Sequence, residues 1–131
     1  MKNQTGKSLR IFQQNELNAI IMYRALAECA ECEAESALLL SIAADEGKHA
    51  GILRQYTNQI LRPKNTMKNM ILFSMRTMHK KALFLLLSRS EKTAAKLYEP
   101  FFSRYPRTKE IAADELRHGA LLEAYAHELQ K

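Results

Sequence analysis

The chain repeats itself at a distance, and the repeat is helical. Residues Ile42–Tyr56 read IAADEGKHAGILRQY, and residues Ile111–Tyr125 read IAADELRHGALLEAY. Eight of the fifteen positions are identical: the Ile, both Ala, the Asp, the Glu, the His, one Leu and the Tyr. Upstream of each copy lies a second, sparser match. Glu16 is followed seven residues later by Tyr23, and Glu91 by Tyr98, with Ala19 and Ala94 at the same offset from their Glu. A chain of 131 residues holding two such copies is built of two similar halves. Each half pairs a Glu-bearing helix with a helix carrying Glu-x-x-His.

The remaining pattern agrees with an all-α chain. Apolar residues recur at helical spacing, as in Leu9, Phe12, Ala19, Ile20, Tyr23 and Ala27. Gly (4) and Pro (3) are too scarce for the turns of a β sandwich or barrel. Helix A is expected over about residues 8–32 with Ser8 as its N-cap, and helix B over about 34–61 after a tight turn within 31–35. Arg62-Pro63-Lys64-Asn65-Thr66 is the clearest break, with Pro63 as stop and Thr66 as a candidate cap. Helix C occupies some or all of 67–103, and helix D runs from about Thr108 to Gln130. The expected organisation is one domain over 1–131: hairpin A/B over about 8–62, a crossover or the start of helix C over about 63–80, and hairpin C/D over about 81–131.

The repeated residues point to a metal. In Glu-x-x-His the two side chains are i, i+3 on one helix face and reach one point. Glu46 and His49, and Glu115 and His118, sit within apolar stripes, surrounded by small residues that let helices approach. Glu16 and Glu91 also lie on apolar faces. A buried carboxylate is costly unless its charge is compensated, and four together repel. Two divalent cations neutralise four carboxylates and leave the imidazoles neutral. One Glu-x-x-His alone is a common feature of exposed helices; two inside a repeat, each paired with an upstream Glu, are not.

Charge and cysteines add less. Residues 63–104 carry nine Lys/Arg and two Asp/Glu, whereas the rest is balanced. Such a segment attracts nucleic acid, an anionic membrane or an acidic protein, but a solvated helix face is the simpler reading and no nucleic-acid motif accompanies it. Cys29-x-x-Cys32 lacks the second pair of a zinc ribbon or rubredoxin-type site, and Glu28, Glu31, Glu33 and Glu35 disfavour a reactive thiolate, so ordinary cysteines near a helix end are expected. No apolar run is long enough to span a membrane, and the polar first ten residues lack a signal-peptide core, so the expected setting is cytoplasmic, with no membrane partner.

Taken together, Glu16, Glu46-x-x-His49, Glu91 and Glu115-x-x-His118 resemble the ligand pattern of the ferritin-like di-iron carboxylate proteins. The Tyr seven residues after the first-helix Glu looks most like the rubrerythrin branch, here without its rubredoxin domain. The resemblance spans nearly the whole chain. It implies a ferritin-like four-helix bundle with a dinuclear site in its core and two iron ions as cofactor, manganese or zinc being other divalent candidates. Glu46 and Glu115 would bridge the ions, Glu16 and His49 would complete one, and Glu91 and His118 the other. Tyr23 and Tyr98 either hydrogen-bond the terminal carboxylates and quench one-electron oxidation, or pack the core.

The implied activity is an oxidoreductase that reduces hydrogen peroxide, or reacts with dioxygen, using electrons from a separate donor protein. The alternative is iron binding, storage or ferroxidation without peroxidase turnover; a redox-inert zinc or manganese bundle is a third. In a ferritin-like bundle the link between hairpins must run the length of the helices. Either residues from Met67 to about Thr77 form a crossover, or helix C is continuous from Met67 and the chain forms a domain-swapped homodimer. The apolar face through Met70, Phe73, Thr77, Phe84 and Leu87 favours the swap. Asp45 and Asp114 point about 100° away from the adjacent Glu. The pseudo-twofold pairs them crosswise with His118 and His49, unless each is salt-bridged to a nearby Lys or Arg. Nucleic acid is disfavoured as a partner.

Overall fold

The computed structural model describes residues 2–129. Among them there is no strand, and the chain is all-α. Five α-helices follow in order: α1 (Lys2–Glu28), α2 (Glu33–Thr57), α3 (Thr66–Ser74), α4 (Lys80–Tyr98) and α5 (Thr108–Glu128), with a 3₁₀ turn at Glu99–Phe101. The chain divides into two compact units, Met1–Leu72 and Phe73–Lys131.

The first unit is the α1–α2 hairpin with the segment that follows it. Its core is a stripe at three- and four-residue spacing on each helix. Along α1 the buried positions include Leu9, Gln13, Glu16, Ala19, Tyr23 and Leu26; along α2 they include Leu39, Ile42, Glu46, His49 and Leu53. Each fully buried Leu or Ile contributes up to about 1.5–3 kcal/mol of transfer free energy, and the polar members of the stripe must be compensated. α1 runs straight through Ser8, which is not its cap, and the interhelix loop is Cys29–Cys32, earlier than the expected turn. Cys32 takes the N-cap position of α2 without a side-chain cap bond, and both cysteines are exposed.

Helix α2 stops at Thr57 rather than near Leu61. Asn58 adopts the left-handed conformation (φ 57°, ψ 32°), and its N–H donates to the Arg54 carbonyl. Asn tolerates this geometry better than most residues and so ends the helix before Pro63 is reached. The segment that follows has neither helix nor ladder to satisfy its backbone, and side chains of α1 do so instead. Gln13 donates through Nε2 to the Gln59 carbonyl (3.0 Å), and Gln14 to the Arg62 carbonyl (2.8 Å). The Lys64 N–H donates to Asn18 Oδ1 (2.7 Å), while Thr57 Oγ1 donates to Gln13 Oε1 (2.6 Å). The contacts advance from Gln13 to Asn18 as the segment advances from residue 59 to 64. The chain therefore reverses at Asn58 and runs back along α1 in the direction of α1.

Helix C is not continuous. It divides into α3 and α4, separated by a turn over residues 75–79 in which Arg76 N–H donates to Phe73 O and Met78 N–H to Ser74 O. The continuous helix on which the swapped-dimer route rests is therefore not formed, and irregular chain, the short helix α3 and the 75–79 turn join the two hairpins in sequence. The expected single face is also broken, since Met70 and Phe73 are exposed while Phe84 and Leu87 are buried.

The second unit is the α4–α5 hairpin, and it repeats the register of the first. The buried positions of α4 include Leu83, Leu87, Glu91, Ala95 and Tyr98; those of α5 include Ile111, Glu115, His118, Leu122 and Ala126. Phe84 packs on Tyr125 with ring centroids 5.3 Å apart. The two helices pack tightly at Gly119. A Cβ placed there would lie 2.7 Å from Lys92 Cγ and 3.1 Å from the Ser88 carbonyl, and Ser88 Oγ donates to the Gly119 carbonyl at 2.6 Å. The Tyr105–Thr108 turn falls where expected, closed by Thr108 Oγ1 donating to the Tyr105 carbonyl. Gln130, the expected end of helix D, lies outside the described residues.

Candidate metal centre

Each hairpin brings its three predicted ligands to one point. In the first unit α1 supplies Glu16, and α2 supplies Glu46 and His49 one turn apart. All three are buried, with His49 at 0% exposure. His49 Nδ1 lies 3.1 Å from Glu46 Oε1 and 3.3 Å from Glu16 Oε1. In the second unit α4 supplies Glu91, and α5 supplies Glu115 and His118. His118 Nδ1 lies 3.1 Å from Glu91 Oε1 and 3.3 Å from Glu115 Oε1. In both triads the ligand atoms lie within 4.8 Å of one another.

Those spacings can be tested against two explanations. The first is hydrogen bonding alone. Charge-assisted N–H···O bonds are short, about 2.7–2.9 Å, and Nδ1 carries at most one hydrogen. One ring nitrogen placed 3.1 and 3.3 Å from two carboxylate oxygens serves neither well. The second is a shared cation. Ligand atoms about 2.1 Å from one ion are separated by about 3.0 Å at adjacent octahedral positions and about 3.4 Å at tetrahedral ones. Both measured edges of both triads fall in that interval. Two carboxylates and a neutral imidazole also carry the charge that one divalent cation cancels, which removes the cost of burying them. The donor set therefore fits a divalent metal, and its mixture of imidazole and carboxylate suits iron, manganese or zinc.

The sequence reason for this convergence is local. The three-residue spacing in α2 and α5 stacks Glu and His on one face, and the neighbouring small residues (Ala43 and Ala50; Ala112 and Gly119) keep that face low enough for the opposite helix to reach it. Tyr23 and Tyr98 are buried, each two turns beyond its helix's Glu. Asp45 and Asp114 are half-buried on the adjoining face. Asp114 Oδ1 accepts from Arg117 Nη2 at 2.9 Å, an i, i+3 pair within α5.

Sequence reasoning missed the residues that fasten the crossover. Gln13 is 2% exposed and lies one turn before Glu16, where it ties α1 to the chain after α2 and fixes the height of Glu16 against His49. Its signal was a polar residue on the apolar stripe of α1. Ser88 was missed likewise, one turn before Glu91 and bonded to the Gly119 carbonyl, next to His118.

No family model, curated protein or solved structure matches this chain.

Proposed function

We propose that this chain is a rubrerythrin-like di-iron oxidoreductase of the ferritin-like kind that reduces hydrogen peroxide, drawing electrons from a separate donor protein. The observation that carries the reading is the doubled triad: Glu16, Glu46 and His49, then Glu91, Glu115 and His118, each with its imidazole Nδ1 between two buried carboxylates. In this reading the two hairpins form one four-helix bundle. Glu46 and Glu115 would hold both iron ions, with Glu16 and His49 completing one ligand set and Glu91 and His118 the other.

A pair of iron(II) ions supplies two electrons at once, which with two protons convert one hydrogen peroxide into two waters. The protein's part is to hold, exclude and orient. The buried triads remove bulk water from the ligand atoms, which strengthens every charge interaction there. Holding Nδ1 toward the carboxylates leaves Nε2 of each imidazole for a carboxylate partner, and the proposal gives His49 to Asp114 and His118 to Asp45. Such a partner fixes ring orientation and raises the donor strength of Nδ1. Tyr23 and Tyr98 place phenols two turns from the terminal carboxylates, where each can donate a hydrogen bond or intercept a stray radical.

The test is oxidation of the protein loaded anaerobically with iron(II). Peroxide is expected to oxidise it promptly and stoichiometrically, with dioxygen much slower. Faster oxidation by dioxygen, with uptake of iron far beyond two per chain, would replace this reading with ferroxidation and storage. Bound iron that neither oxidant changes would contradict both.

A further inference from the structure

The loop that joins α1 to α2 opens and closes on a cysteine. Cys29 follows the last residue of α1 and Cys32 holds the N-cap of α2, with only Ala30 and Glu31 between them. The Cys29 N–H donates to the Leu26 carbonyl at 3.0 Å, and the Cys32 carbonyl accepts from the Ser36 N–H at 3.1 Å. Each cysteine backbone is thus fastened to one helix of the hairpin, and the chain bends at Glu31 and Cys32. A reversal of this length can bring Cα atoms three residues apart to within about 7 Å, near the upper limit of what a disulfide spans.

Both cysteines are exposed. A cysteine kept for packing belongs to the most buried class of residue, and the second hairpin repeats the register of the first with no cysteine at all. Packing therefore does not account for the pair. Neither does a multidentate metal site: among the described residues, the convergent groups of three or more ligands are the two buried Glu/His sets, and neither includes a cysteine. A disulfide here would also be a weak staple, because closing so short a loop removes comparatively little entropy from the unfolded chain. What remains is exchange chemistry.

In sequence, four neighbouring glutamates disfavour a thiolate. The structure separates them. Glu35 is buried, at 3% exposure, whereas Glu28, Glu31 and Glu33 are exposed, where water and salt screen their charge. Cys32 stands at the N-terminus of a 25-residue helix, whose first N–H groups favour negative charge. Cys29 stands at the opposite, C-terminal end of its helix. That asymmetry divides the roles, with Cys32 attacking and Cys29 resolving.

We propose that Cys32 and Cys29 are a dithiol–disulfide pair that consumes hydrogen peroxide and is restored by a dithiol reductant. The Cys32 thiolate attacks one peroxide oxygen and the O–O bond breaks. Cys32 becomes a sulfenic acid, and the departing hydroxide takes up the proton that the thiol had released. The Cys29 sulfur then attacks the Cys32 sulfur, the S–O bond breaks, and a second water leaves with the Cys29 proton. Two thiols and one hydrogen peroxide give one disulfide and two waters. The reductant returns both electrons by thiol–disulfide exchange and leaves as its own disulfide. The exposed glutamates favour neutral partners over anionic thiols. Cys29 lies about 20 Å along α1 from Glu16, at 1.5 Å per residue, so the pair works without the metal ligands.

Peroxide treatment of chelator-stripped, full-length protein tests the pair, read by intact mass and by alkylation. The parent should lose two hydrogens, resist alkylation at both cysteines, and recover with dithiothreitol. Cys29→Ser should stop at a sulfenic acid on Cys32 that dimedone captures. Cys32→Ser should react about tenfold more slowly or less. Both variants change exposed side chains, and their circular dichroism should match the parent. No intramolecular disulfide in the parent, or chains linked to one another in its place, overturns the proposal. Cys32→Ser reacting as fast as the parent overturns the division of roles and with it the mechanism. With metal absent throughout, these outcomes are separate from the oxidation of bound iron, and either reading can fail while the other holds.

Discussion

Replacing Gly119 by Ala perturbs a close approach of α4 and α5, and the structure sets the size of the effect. The added methyl would lie 2.7 Å from Lys92 Cγ and 3.1 Å from the Ser88 carbonyl. Lys92 can swing aside, though its Nζ bond to Glu123 at 2.6 Å would be lost or rebuilt. The Ser88 carbonyl belongs to helix backbone and moves only with α4. Overpacking of this kind costs about 1–3 kcal/mol, and Ala in a helix interior returns about 1. The net expectation is a loss of up to about 2 kcal/mol, with the Ser88–Gly119 bond lengthened and Glu91 moved away from His118. Gly47→Ala is the control, because its Cβ would meet nothing closer than Ile20 Cδ1 at 3.7 Å, an ordinary contact. That variant should gain about 0.5–1 kcal/mol from helix propensity. Urea titrations followed by far-ultraviolet circular dichroism, on metal-free protein, give both numbers. A Gly119→Ala variant stabilised as much as Gly47→Ala, or a Gly47→Ala variant as damaged as Gly119→Ala, would refute the argument from close approach.

Further outcomes follow from the same geometry. Glu46→Ala or Glu115→Ala should abolish paired metal binding measured by metal analysis after gel filtration, whereas Tyr56→Phe should leave it intact. Asp45→Asn should alter the iron beside His118 more than the one beside His49, seen as a shifted optical spectrum at full occupancy. Lys92 donates to Glu123 and its charge reinforces that bond, so the Glu123 carboxyl is held below its ordinary value of 4.5. A depressed folded value means a contribution present above that ordinary value and lost as pH falls through the folded one. Both side chains are nearly half exposed, so salt should weaken it. Glu123→Gln should flatten the acid limb of a stability–pH curve at low salt and change little at neutral pH in high salt.

The buried Glu/His clusters were legible because they depend on spacing within single helices. Glu-x-x-His meets on one face whatever the loops do, and the apolar stripes around Glu16 and Glu91 turn them toward the opposite helix. The boundaries were less legible, because they carry little side-chain chemistry. Cys32, His79 and Arg107 cap their helices without a side-chain bond, so the usual Ser, Thr, Asp or Asn signature is missing. The stop at Asn58 rests on one left-handed residue, and Pro63 drew attention further along. The turn over residues 75–79 contains neither Gly nor Pro, and apolar spacing runs through it unbroken. Periodicity alone therefore joined α3 to α4. What the spacing lacked was the polar strap of Gln13, Gln14 and Asn18, which holds the preceding segment along α1.

The central claim is that Glu16, Glu46, His49, Glu91, Glu115 and His118 together hold two divalent ions. Anaerobic calorimetric titration of chelator-stripped protein with iron(II) measures it most directly. The account predicts two ions per chain, and loss of tight binding in Glu16→Ala/Glu91→Ala. An absence of tight binding in the parent, or two ions still held tightly by that double variant, would contradict it.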